Sequence, residues 1–174
     1  MKAFASLFAA VDGTTSTNAK VDAIVRYLTA APAADAAWAV FFLTGRRLKR
    51  LLPYRAISDW TMALAGVEEW LLGECYSVVG DGAETATLIL DQIPSDSGVV
   101  PVPSLGLAEW VEARILPLRQ APPEAQQRQV IGWIRELGRW ERFTLFKLLT
   151  GELRLGVSQT LAVRAVAQAA GLPV

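Results

Sequence analysis

Residues 17–31, TNAKVDAIVRYLTAA, carry apolar side chains at the i, i+3, i+4 and i+7 spacing of one buried helical face. The four side chains of that face are Val21, Ile24, Val25 and Leu28. Hydroxyl-bearing residues at positions 15–17 stand where a helix needs an N-terminal cap. This stretch therefore predicts an amphipathic helix whose apolar side packs against other helices.

The rest of the chain repeats this helical pattern and contains no apolar–polar alternation longer than a few residues. Prolines fall near the predicted starts and stops, where a helix tolerates them best. We therefore predict an all-α, compact multi-helix domain. Its further helices are expected at about 2–11, 34–43, 54–65, 67–79, 81–91, 105–116, 123–137, 139–149 and 158–170.

A loop rich in proline, glycine and serine is predicted at 92–104, and it divides the chain into halves of about 1–91 and 105–174. The halves share a short pattern, because FLTGRRLK at 42–49 recurs as LLTGELR at 148–154. This recurrence indicates two helical units related by pseudo-symmetry within one domain of 1–174.

Composition excludes several classes of active site. The 174 residues include no histidine and a single cysteine, so zinc sites of the Cys/His type and Ser–His nucleophiles are excluded. The neighbouring Glu68 and Glu69 diverge on a helix and form no catalytic pair. We therefore expect no catalytic residue, metal or cofactor in this chain.

The expected location is the cytoplasm. No apolar run reaches the roughly 18 residues that a membrane span requires, so no membrane is expected as a partner. A single cysteine also fits a reducing compartment. Because the net charge is zero, any affinity for nucleic acid must come from local clusters of charge.

One such cluster lies between Asp35 and Asp59, where no acidic residue occurs. The functional interpretation is a phosphate-binding turn, in which Thr44 and Gly45 present free backbone N–H groups beside the arginines. The alternative is a solvated helix end, where basic residues favour the negative end of the helix dipole. The basic residues of the cluster are Arg46, Arg47, Lys49, Arg50 and Arg55.

Three other turns have the chemistry of anion sites at helix N-termini. They are Thr14–Thr17 followed by Lys20, Gly80–Gly82, and the segment from Gly151 through Gly156 to Ser158. Each is also an ordinary cap when taken alone. Together the four turns form a set that can follow one nucleic-acid backbone.

Two other classes of function stay open. LGVSQT at 155–160 resembles the turn and recognition helix of a helix-turn-helix transcriptional regulator. A helical protein–protein interaction scaffold, whose basic turn meets an acidic partner, is a further possibility. The six tryptophans are expected to pack in the core rather than to stack on bases.

Several segments resemble the N-terminal DNA-binding domain of bacterial ATP-dependent DNA ligases. TSTNAK at 15–20 and FFLTGRR at 41–47 look like two of its segments, and GDGAE at 80–84 resembles its middle turn. FTLFKLLTGELRLGVS at 143–158 is similar to the closing signature of that domain and is the most specific match.

The resemblance implies an all-helical domain that packs against the minor groove on both sides of a nick and holds double-stranded DNA by its sugar–phosphate backbone, independently of sequence. Glu152 departs from this picture, because it puts a negative charge beside a proposed phosphate turn. The expected DNA-binding residues are Thr17, Lys20, Thr44, Gly45, Arg46, Arg47, Lys49, Gly80, Gly82, Arg154, Gly156, Ser158 and Gln159.

Ligases of this family continue into a nucleotidyl-transferase domain and an OB-fold, and this chain stops at Val174, before either is expected. The resemblance therefore implies an excised or separately encoded binding domain, with ATP and Mg²⁺ needed only by the parent enzyme. Nicked duplex DNA and the catalytic domains of the parent ligase are the expected partners. DNA repair, replication or recombination, in association with the nucleoid, is the expected setting.

Overall fold

The computed structural model describes residues 1–93 and 105–173, and these residues form helices with no β-strand among them. The predicted all-α class is confirmed. Most of the loop predicted at 92–104 lies outside the described residues. The helices are α1 (Lys2–Asp12), α2 (Thr17–Ala30), α3 (Ala33–Leu43), α4 (Tyr54–Ala65), α5 (Glu69–Val79), α6 (Gly82–Asp91), α7 (Leu107–Glu109), α8 (Pro123–Glu136), α9 (Arg139–Thr150) and α10 (Gln159–Ala169).

The continuous α-helix predicted at 105–116 is wrong in part. The chain is α-helical only over Leu107–Glu109, continues as a π-helix over Trp110–Ile115 and reaches a 3₁₀ turn at Pro117–Gln120. The N–H of Leu116 donates to the carbonyl oxygen of Val111, five residues back, at 2.9 Å. Trp110, Val111 and Ile115 are all buried in this segment, so the wider turn coincides with a fully apolar core face.

The chain folds as two compact units, each assembled from separate segments. Unit 1 comprises Met1–Leu48, Ser104–Pro117 and Glu152–Val174. Unit 2 comprises Lys49–Pro103 and Leu118–Gly151. Each unit therefore draws on chain from both sides of the predicted loop, and neither matches the division into 1–91 and 105–174.

Unit 1 is organised around α2, which packs against α1 and α10. From α10 only Ala162 and Ala165 are buried, and such small side chains allow two helices to approach closely. Asp35 of α3 accepts a hydrogen bond at 2.9 Å from the N–H of Ala108, at the start of α7. These contacts join the three segments of unit 1 into one core.

Unit 2 is organised around α6, which packs against α4, α5 and α9. Leu145, Phe146 and Leu149 of α9 are fully buried and form much of its core. At the start of α6, an added Cβ at Gly82 would lie 2.5 Å from the ring of Tyr54, so glycine permits the close approach of α4 to this helix end.

The repeated Thr-Gly pair ends a helix in both units. The hydroxyl of Thr44 donates to Val40 O at 3.0 Å, and the hydroxyl of Thr150 donates to Phe146 O at 2.9 Å. The glycine that follows each threonine has positive φ, 81° at Gly45 and 70° at position 151, as is usual just after a helix C-terminus. The Thr-Gly recurrence noted in the sequence is thus the same helix C-terminal motif in α3 and in α9. Within the described residues, no helix is both long enough and apolar enough to cross a membrane.

Candidate nucleic-acid interface

Segments that lie more than 100 residues apart in the sequence meet in unit 1. They line a groove of about 450 Å³, which we call the unit 1 groove. One wall contains Gly45 and Arg47, which follow α3. The other contains Arg154, Gly156 and Ser158, which precede α10. None of the described residues that line the groove is acidic, and Glu152 is not among them.

The side chain of Lys20, in α2, binds a residue that lines the unit 1 groove. Its Nζ atom donates to the carbonyl oxygen of Gly156 at 2.9 Å. Gly156 has a φ of 58°, a left-handed conformation that glycine adopts without strain. A lysine ammonium has three N–H donors, so this bond holds the turn before α10 and leaves two donors for a ligand. Three of the four predicted site segments therefore meet at one groove.

The segment before α10 is anchored by alternating side chains. Leu153 and Leu155 are buried, whereas Arg154 between them is exposed. Ser158 caps α10, because its Oγ atom accepts a hydrogen bond from the N–H of Leu161 at 3.2 Å. The first N–H groups of a helix, here those of residues 159 and 160, have no partner within the helix and point toward its N-terminal end.

The turn after α3 differs from its prediction. The sequence analysis expected free N–H groups at Thr44 and Gly45, but those groups donate to the carbonyl oxygens of residues 40 and 42, and the N–H of Arg46 donates to Phe41 O. These bonds satisfy the carbonyls at the C-terminus of α3, which otherwise lack partners. The arginine side chains, rather than the backbone, are thus left to bind a ligand. The guanidinium of Arg46 lies 5.9 Å from the centroid of the Phe41 ring.

The basic cluster is smaller than its sequence suggests. Arg55 pairs with Asp59 through Nε at 2.8 Å and with Glu69 through Nη1 at 2.7 Å. The hydrogen bond to Glu69 and the charge of Asp59 raise the pKa of Arg55, and its charge is balanced. Arg46 and Arg47 are exposed and form no ion pair in the described part of the chain. Lys49, also exposed, belongs to unit 2.

The Gly80–Gly82 bend lies in unit 2 and is built from internal contacts. Asp81 caps α6 by accepting from the N–H of Glu84 at 3.0 Å, and its carboxylate also pairs with Lys147. Burial raises the pKa of Asp81, but the hydrogen bonds from Lys147 and the backbone outweigh that effect and lower it below the ordinary value. The carboxylate at the centre of this predicted contact is therefore already engaged by Lys147 and by the helix cap.

A charge pattern around this bend was missed in the sequence analysis. Residues 56–93 contain seven acidic residues and no lysine or arginine. Counting charged residues along the sequence, which located the basic cluster, would also have located this acidic stretch. A bend in such an acidic stretch attracts a phosphate less than the unit 1 groove does.

The expectation that all tryptophans pack in the core is wrong for two of them. Trp70 is 69% exposed and Trp140 is 44% exposed, whereas Trp110 and Trp133 are buried. Trp140 contacts Phe143 edge-to-face at 5.9 Å between ring centroids. Periodicity alone does not separate a tryptophan in the core from one at the margin of an amphipathic helix.

Comparison with known proteins identifies the family of this chain. The sequence model of the family described as "DNA ligase N terminus" matches residues 1–167. A "Probable DNA ligase" of Anaeromyxobacter dehalogenans (strain 2CP-1 / ATCC BAA-258) is 35% identical over 109 residues, which are 60% of this chain and 20% of the relative. The match thus covers about a fifth of that protein. Since the family model spans nearly the whole chain, this protein belongs to the DNA ligase N-terminus family.

Proposed function

We propose that this domain binds duplex DNA through the sugar–phosphate backbone, without reading sequence, as the N-terminal domain of an ATP-dependent DNA ligase. The observation that carries the proposal is the unit 1 groove, where Lys20, Arg47 and Arg154 meet around two glycine turns with no carboxylate in the lining. Guanidinium forks, hydroxyl groups and helix N-termini bind phosphate oxygens, which are the same in every sequence.

The proposal extends to neighbouring exposed groups. Thr17 at the start of α2, Arg46, and Gln159 at the start of α10 belong to the same unit and are proposed as further phosphate contacts. Thr44 contributes by fixing the turn that carries the arginines, because its hydroxyl already donates within α3. In unit 2, Lys49 and the backbone at Gly80 and Gly82 are proposed as separate contacts.

Catalysis is assigned to the parent enzyme. In the described residues, no three side chains among His, Cys, Asp and Glu come together as metal ligands do. We propose that ATP, Mg²⁺ and the sealing of nicks in repair, replication or recombination belong to the catalytic domains of the whole ligase. The domain's part is then to hold nicked duplex DNA for those catalytic domains.

The helix-turn-helix alternative is less well supported. Helices of that motif are joined by a turn of about 3–4 residues, whereas residues 151–158 separate α9 from α10. A sequence-reading regulator would also discriminate between sites by about three orders of magnitude or more. A backbone-binding domain should bind unrelated duplexes with similar affinity.

The test is a low-salt gel shift with nicked and intact duplexes of several unrelated sequences. We expect similar affinities across sequences, and clearly weaker binding by Arg46→Ala combined with Arg47→Ala, with an unchanged circular dichroism spectrum. The matched control is Arg128→Ala with Arg135→Ala, which removes two exposed charges from α8. Equal binding by the Arg46/Arg47 variant and the unmodified protein would contradict the proposal.

A further inference from the structure

Helix α5 has an apolar face that the rest of the described chain leaves largely uncovered. Of its 11 residues, only Leu72 is buried. Leu71, Cys75 and Val78 recur at i, i+4 and i+7, and therefore lie on one face. Leu71 is 39% exposed and Val78 is 86% exposed. A single exposed apolar side chain is ordinary, but a row on one helix face is typical of an interaction site.

This face continues into a groove of about 510 Å³ between α5 and α6, which we call the α5–α6 groove. Cys75 and Val78 line it from α5, and Leu88 and Ile89 line it from α6. From Thr85 of α6 to Gln92, its C-cap, the lining extends over about two helical turns, or ~11 Å. A groove of apolar side chains between two helices accepts the apolar face of a third helix, whose anchors repeat at i, i+3, i+4 and i+7.

The acidic residues around the α5–α6 groove favour a partner with positive charge. The surrounding stretch, residues 56–93, contains seven acidic and no basic residues. Arg55 balances two of them and Lys147 balances a third. Glu74 lines the groove itself and forms no ion pair within the described chain. The acidic residues outside those ion pairs are Glu68, Glu74, Glu84 and Asp91, of which Asp91 interacts electrostatically with Arg142 of α9.

We infer that the α5–α6 groove docks a basic amphipathic helix of a partner protein. The apolar side chains of that helix enter beside Val78 and Leu88, and its lysine or arginine side chains meet Glu74. Negative charge at the rim repels the phosphates of DNA and attracts cationic peptide. This inference does not rest on the proposed DNA-binding function, because the unit 1 groove and the α5–α6 groove belong to different units.

The experiment uses the full chain and two amidated peptides of ~18 residues, long enough for five helical turns. Both peptides place leucine on one helical face, and the other face carries lysine in one peptide and glutamate in the other. Cys75 is the single cysteine of the chain and lines the groove, so its rate of reaction with a thiol reagent reports occupancy directly. Binding is measured by calorimetry and by protection of that thiol.

We expect the lysine peptide to bind with 1:1 stoichiometry and to slow the modification of Cys75. Val78→Asp and Glu74→Lys should each weaken binding by about tenfold, since each removes one apolar or charged contact. The control is Val163→Asp, which places the same change on another exposed valine, 57% accessible, in α10. This control should bind the lysine peptide as the unmodified protein does.

Four outcomes would overturn the inference. The first is that the lysine peptide does not bind, the second that the glutamate peptide binds equally well, and the third that Val78→Asp leaves the affinity for the lysine peptide unchanged. The fourth is that sedimentation finds a dimer that Val78→Asp dissociates, which makes a second copy of the chain the occupant. Because Val78 is so exposed, its substitution should not unfold unit 2, and circular dichroism checks this.

Discussion

Removing the two arginines of the unit 1 groove, by Arg47→Ala with Arg154→Ala, should change how DNA binding depends on salt. Each phosphate that a protein neutralises contributes ~0.9 to the slope of log K against log salt concentration. If each arginine binds one phosphate, the slope should fall by ~1.8. If each charge-assisted contact contributes ~1–1.4 kcal/mol at an exposed site, the variant should bind ~30- to 100-fold more weakly at 50 mM salt.

The same arithmetic predicts how this deficit shrinks. A fourfold increase in salt, from 50 to 200 mM, should reduce the difference in affinity between the unmodified and variant proteins by about 12-fold. Fluorescence anisotropy with a labelled nicked duplex measures both slopes. Arg128→Ala with Arg135→Ala loses the same charge from α8 and should keep the original slope. Equal slopes for the unmodified protein and the groove variant, or an equal fall in the control, would refute direct phosphate contact.

Two further predictions concern stability. Asp81→Asn keeps the cap of α6 but leaves the ammonium of Lys147, whose side chain is 11% exposed, without its carboxylate. We expect a loss of ~1–3 kcal/mol at pH 7, discounted for the partial exposure of Asp81. Because the pKa of Asp81 is lowered on folding, its contribution is complete above the unfolded pKa of ~3.9 and is lost as pH falls through the folded value. Urea titrations at pH 7 and pH 3 should therefore show a smaller difference at pH 3, and a constant difference would contradict this explanation. Gly82→Ala should force the ring of Tyr54 to move, which should lower the free energy of unfolding by ~1–3 kcal/mol and the melting temperature with it. Gly132→Ala is the contrasting case, because an added Cβ in the interior of α8 meets nothing within 4 Å. This second substitution should raise the free energy of unfolding by up to ~1 kcal/mol. Equal shifts in calorimetric melting for the two substitutions would refute the steric argument.

Charge in this protein is segregated along the chain although the total is zero. The acid-free stretch between Asp35 and Asp59 carries Arg47 of the unit 1 groove, and the base-free stretch 56–93 includes α5 and α6. A net charge of zero therefore carries no information about partners here. Local clusters of opposite sign are the basis on which we propose an anionic ligand for one surface and a cationic one for the other.

Local sequence was enough to locate the helices, because the signals that start, continue and end a helix lie within a few residues of one another. The helix predicted at 17–31 is observed at Thr17–Ala30, with Ser16 as its cap. The helix predicted at 54–65 has those bounds in the structure, and Pro53 precedes it. Resemblance to a known family was also legible in contiguous segments such as 143–158.

Only the tertiary structure decided which of these local features act together. Gly45 and Gly156 meet at one groove because α10 packs against α2 and α3, and no local pattern encodes a contact across more than 100 residues. Ion pairing removed Arg55 from the basic cluster, since its partner Glu69 comes from the next helix. Helix periodicity indicates that a helix face is apolar, but it does not indicate whether a neighbouring helix covers that face. The exposure of Val78 is therefore known only from the tertiary structure.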